Sequence, residues 1–114
     1  MNAAVEHSLD DVIAACDRIE DYVSDPTLPE ALVHDAVRMR LVDIAAAVQR
    51  LPPTMTAFEP AVPWAQVSAL ADRLTRRAAE TPVSVLLGTA RTDVPVLCAA
   101  ARRMRARCDR PSAV

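Results

Sequence analysis

Apolar residues recur at steps of three and four in four stretches of the chain, with prolines between the stretches, and that spacing predicts helices. Leu9, Val12, Ile13, Cys16, Ile19 and Val23 share one side of a first helix over residues 9–24, which leaves Asp10, Asp17, Glu20 and Asp21 mainly on the other. Ser8 reads as the N-cap of that helix. Asp10 and Asp11 then sit in its first turn, opposite the positive end of the helix dipole, and Asp25-Pro26 closes it. Residues 1–8 and 110–114 are expected to be flexible ends.

A second helix is predicted over residues 30–51, opened at Pro29 and stopped by Pro52-Pro53. Val33, Val37, Leu41, Ile44, Val48 and Leu51 form its seam, and Ala36, Ala45 and Ala47 beside them permit close approach of a neighbour. The short link to the first helix makes the two an antiparallel pair. Residues 52–63 hold Pro52, Pro53, Pro60 and Pro63, a stiff connector packed by Phe58 and Val62. A third helix over 64–79 carries Trp64, Val67, Leu70, Ala71, Leu74 and Ala78 on its apolar side. The fourth, over 83–108, turns Val85, Leu86, Val94, Leu97, Cys98, Ala101 and Met104 inward. Pro95 predicts a kink or split there, with Thr92 or Asp93 capping the restart. The fold class expected is therefore all-α, an antiparallel four-helix bundle forming one domain over residues 1–114.

Composition agrees with helix. The chain has one glycine, three aromatic residues (Tyr22, Phe58, Trp64) and 52% hydrophobic residues, which suits one modest helical core and not a sheet. The formal charge is −2, yet residues 1–60 hold eleven acids and four arginines while residues 61–114 hold four acids and nine arginines. No whole-protein footprint for nucleic acid results, although the C-terminal part is able to present a basic face. Cys16, Cys98 and Cys108 are odd in number and lack a CxxC pair, so buried or inert thiols are expected, with no disulfide framework and no zinc site. Glu6 in an N-terminus without a basic or apolar run argues against a signal peptide, and no apolar run is long enough to span a bilayer, so the expected address is cytoplasmic.

Four stretches taken together resemble the HepT-like branch of the HEPN domain proteins. They are Ile13-Ala14-Ala15-Cys16-Asp17-Arg18-Ile19-Glu20-Asp21-Tyr22-Val23 in the first helix, His34-Asp35-Ala36-Val37 with Leu41, Ile44 and Ala47-Val48 in the second, Pro63-Trp64-Ala65-Gln66-Val67 at the start of the third, and Asp93-Val94-Pro95-Val96-Leu97 in the last. The family's ribonuclease motif reads Arg-Asn, three residues, His, one residue, Tyr. Counted from Pro63-Trp64, its places fall on Ala71, Asp72, Arg76 and Ala78, so none is kept. The family's Arg-Asn-Leu-Glu of the second helix is here Met39-Arg40-Leu41-Val42. In the motif an imidazole can move a proton near neutral pH and an arginine can hold phosphate charge; here Arg76, in the histidine's place, stays protonated at pH 7, and Ala71, in the arginine's place, offers no charge.

The resemblance implies a toxin–antitoxin setting in which a HEPN protein is encoded beside a nucleotidyltransferase. With the motif gone, the chain looks like the restraining partner of mycobacterial MenA–MenT pairs: an antitoxin, not an enzyme, that binds and inhibits a nucleotidyltransferase toxin acting on tRNA. Two alternatives stand beside it. One is a HepT-like ribonuclease with a site rebuilt from Arg73, Arg76 and Arg77 with Asp72 as base, and the other is a homodimeric helical scaffold. No cofactor, metal, membrane or direct nucleic-acid contact is expected. The residues expected to meet the partner are Arg73, Arg76, Arg77, Arg102, Arg103 and Arg105, with the acidic side of the first helix as a second surface.

Overall fold

The computed structural model describes residues 3–76 and 83–109, and among these there is no strand. Helix α1 covers Ala3–Ser24, α2 Glu30–Gln49, α3 Pro53–Thr56, α4 Trp64–Arg76 and α5 Val83–Asp109. The all-α expectation holds. The predicted third and fourth helices are α4 and α5, and α3 is one turn inside the connector. The predicted end at 79 and the flexible end at 110–114 lie outside the described residues.

Helix α1 starts six residues before the predicted position 9, and Ser8 is not a cap. Its hydroxyl donates to the Ala4 carbonyl at 3.0 Å and accepts from Arg50 Nε at 3.3 Å, inside the helix and buried. Tertiary packing carries the helix past that signal. Val5 and Leu9, one turn apart, sink into an apolar cluster with Leu51, Met55 and Met104, so residues 3–8 are ordered helix and not a free end. The turn after α1 is set by Asp25, whose carboxylate accepts from the Thr27 backbone N–H at 2.9 Å and hydroxyl at 2.6 Å. Those bonds hold the Asp25 carboxyl below its ordinary value.

Helix α2 is the centre of the molecule, packing against α1, α4 and α5. Arg50 at its end pairs with Asp11 of α1 at 3.1 Å, so α1 and α2 run in opposite directions. Asp10 meets Arg105 and Asp17 meets Arg102, which sets α1 and α5 antiparallel as well. The main core joins Val12, Cys16 and Ile19 to Val37, Leu41 and Ile44, then to Leu86, Ala90, Val94 and Ala101 of α5. Among the described side chains of α4, Leu74 alone enters that core buried.

Helix α5 runs unbroken through Pro95, which overturns the split half of the kink-or-split expectation. Neither Thr92 nor Asp93 caps a restart. The Thr92 hydroxyl instead donates to the Gly88 carbonyl at 2.6 Å, one turn back. Val94 and Leu97 are buried on either side of the proline, and their packing holds the helix together where local preference would end it. Two inward assignments also fail: Val85 is 57% exposed and Phe58 49% exposed, the latter lying under the Arg107 guanidinium at 4.4 Å.

Candidate partner-binding groove

Helix α4 leans on α2, not on α5, so a groove of about 470 Å³ opens between α4 and α5. Two short contacts seat α4. The Trp64 indole N–H donates to the Glu59 carbonyl at 2.9 Å, and the Gln49 amide donates to the Ser68 carbonyl at 2.8 Å. Gln66, Ala69, Leu70 and Arg73 fall on one side of α4 at steps of three and four and form one wall. Thr89, Asp93 and Val96 form the facing wall at steps of four and three, and Leu41 and Ile44 of α2 make the floor. Val96 is 58% exposed at the opening, and the exposed Val85 lies three turns earlier on the same α5 face, with Thr89 and Asp93 between them. The charged groups on its rim are Arg73 and Asp93, one on each wall.

The sequence-predicted residues are divided by the structure. Arg73 reaches the groove, and Asp72 is exposed beside it on α4. Ala71 and Arg76 belong to α4, their side chains lying outside the described residues, as do Arg77 and Ala78 altogether. Arg102, Arg103 and Arg105 are gathered elsewhere, along the second half of α5. Each already holds carboxylates of this chain: Arg102 bonds Asp17 at 2.7 and 2.9 Å, Arg103 bonds Glu59 at 2.6 and 3.2 Å, and Arg105 bonds Asp10 at 2.9 Å and Asp109 at 2.7 Å. Arg103's hydrogen bonds, first among the causes, hold the Glu59 carboxyl below its ordinary value. A partner's carboxylate would have to displace these internal ones. On α1, Glu20 and Asp21 remain exposed while Asp10 and Asp17 are committed to α5.

Sequence reasoning missed the groove, because no residue pattern states which of two neighbours a helix leans on. It also missed the α1–α5 ion ladder, whose signal was present: an acidic first half and an arginine-rich second half become neighbours once α1 and α5 pair. Neither histidine lines the groove. His7 faces Asp11 within α1 at 3.6 Å, and His34 lies beside Asp35 on α2 at 3.5 Å. Among the described residues no group of three or more His, Cys, Asp or Glu side chains is placed to hold a metal ion, and no helix is long and apolar enough to cross a membrane. The chain matches no protein-family model, no curated protein and no solved structure.

Proposed function

We propose that this chain is a HepT-like HEPN bundle without ribonuclease chemistry, with α1, α2, α4 and α5 as its four antiparallel helices, and that it acts as an antitoxin. It binds a nucleotidyltransferase toxin that acts on tRNA and blocks the toxin by occlusion. The α4–α5 groove carries this reading. Its floor is apolar, Leu70 and Val96 add apolar surface to walls that also carry Gln66 and Thr89, the exposed Val96 would gain from being covered, and the two rim charges can fix the register of a docked element. An amphipathic helix of the toxin is the element whose shape fits, with apolar anchors in the groove and a polar back.

The lining also favours binding over chemistry. Among the described lining residues the charged groups are Arg73 and Asp93, with no histidine or cysteine beside them. The resemblance places the lost ribonuclease motif on this same helix, at Ala71 and Asp72 next to groove residues Leu70 and Arg73. A surface relieved of catalysis is open to another use.

The test uses purified wild-type protein, a Val96→Asp variant and the nucleotidyltransferase encoded beside the chain. Wild type should co-elute with the enzyme and stop nucleotide transfer to tRNA. Val96→Asp, which sets a carboxylate at the groove opening without touching the core, should lose both effects while keeping its helical circular dichroism. An uninhibited enzyme that fails to co-elute with wild type would end the proposal.

A further inference from the structure

We propose that the cleft between α1 and α2 binds a phosphate ester through Arg18, Arg40 and Arg50. Residues 1–60 hold eleven acids and four arginines, Arg18, Arg38, Arg40 and Arg50. Three of those four line a single cleft of about 380 Å³, a convergence of cations in the acidic half of the chain. The cleft shares no lining residue with the α4–α5 groove, so this inference does not rest on the antitoxin reading.

Helical spacing builds the cleft. On α1, Asp11, Ala14, Ala15 and Arg18 share one side at steps of three and four, and Arg40, Asp43, Ala46 and Arg50 do the same on α2. The alanines are the floor. A methyl group fills little of the space between the helices and offers no hydrogen bond, so an entering ligand meets guanidinium groups at the walls. Arg50 is anchored there. Its Nε donates to Ser8 Oγ at 3.3 Å and one Nη to Asp11 at 3.1 Å, which holds the guanidinium in place while the other Nη keeps its donors. Arg40 reaches Asp43 at 3.1 Å through one Nη, within its own helix. Arg18 is exposed and has no hydrogen bond or ion pair among the described residues.

The lining sets three guanidinium groups against the carboxylates of Asp11 and Asp43, so one positive charge is left over. Other acids of α1 do not cancel it, because Asp10 and Asp17 turn away to Arg105 and Arg102 of α5. His7 stands 3.6 Å from Asp11 and, when protonated, adds charge of the same sign. A phosphodiester carries one negative charge, which matches that excess, and a monoester carries up to about two. Phosphate oxygens point in tetrahedral directions and can take N–H donors from both walls at once, whereas a carboxylate presents two oxygens in one plane. Among the described residues no aromatic side chain lines the cleft, so nothing there stacks on a base. The cleft therefore grips the phosphate and leaves the group that carries it in solvent. A free nucleotide and an RNA strand both offer that chemistry.

The test is nuclear magnetic resonance on isotope-labelled full-length protein at constant ionic strength. Inorganic phosphate, adenosine monophosphate and a short oligouridylate without terminal phosphate are titrated separately, with chloride as the control. The Nε–H signals of Arg18, Arg40 and Arg50 and the amides of Ala14 and Ala46 should shift and saturate with a phosphate probe, while Arg73 and Arg91 stay still. Saturation with inorganic phosphate or the monophosphate assigns a free phosphate ester, and saturation with the oligouridylate alone assigns a strand. Arg18→Gln should weaken binding about tenfold, the worth of one charge-assisted hydrogen bond. Ala46→Leu keeps every charge and fills the floor, so it should abolish saturation, whereas Arg91→Gln should change nothing. If Ala46→Leu does not fold, Arg18→Gln decides. No saturable shift with any phosphate probe, an equal response to chloride, or unweakened binding by a folded cleft variant would overturn the proposal.

Discussion

Ile44 has no exposed surface and touches both the core of α1 and the floor of the α4–α5 groove, so it tests packing and site together. Ile44→Ala should cost about 2–5 kcal/mol in urea denaturation, the transfer and cavity terms acting in the same direction. A cost under about 1 kcal/mol, the size of a surface change, would show that the position is not packed as described. Glu59 tests the electrostatics. Its folded carboxyl is held below the ordinary value by Arg103, so the unfolded chain binds the proton more readily. The ion pair's stabilisation is complete above the unfolded value and is lost as pH falls through the carboxylate range toward the folded one. Glu59→Gln should thus lower the thermal midpoint near neutrality and flatten its decline on the acid side, and an unchanged acid limb would contradict the pairing. Many residue assignments were legible because burial follows the helical period: Leu9, Val12, Val37, Leu41, Ile44 and Met104 are all buried as predicted. Ser8, Val85 and Phe58 were not legible, since their places depend on neighbours 40 or more positions away or on a groove left open.

Helices α2 and α4 begin where the prolines and apolar steps said they would, and α1 does not, because Val5 packs on Leu51 and Met55 from a stretch the local cap signal had set aside. Helix α5 shows the same competition in reverse. Pro95 lacks the N–H that would bond the Arg91 carbonyl, yet 27 residues remain one helix. A helix-interior proline costs up to about 3 kcal/mol, so Pro95→Ala should raise stability by about 1–3 kcal/mol and lift the thermal midpoint. A fall in the midpoint would mean that Pro95 itself helps to seat Val94 and Leu97 in the core.

Across the whole molecule, the charge polarity of the chain is spent internally. The acids of α1 meet the arginines of α5 along an antiparallel seam, while the groove between α4 and α5 stays open. Under the proposed antitoxin function, the toxin would be recognised mainly through that groove, with charges at the rim setting register and association rate. Mutating the rim should have correspondingly small effects: Arg73→Ala should change the salt dependence of toxin binding more than its affinity at fixed salt, as titration calorimetry at two ionic strengths would show. The most direct trial of the antitoxin reading is growth of cells expressing the proposed nucleotidyltransferase toxin alone, with wild-type protein, and with Val96→Asp. Arrest alone, growth with wild type and arrest again with Val96→Asp is the predicted result, whereas equal arrest with and without the wild-type protein would contradict it.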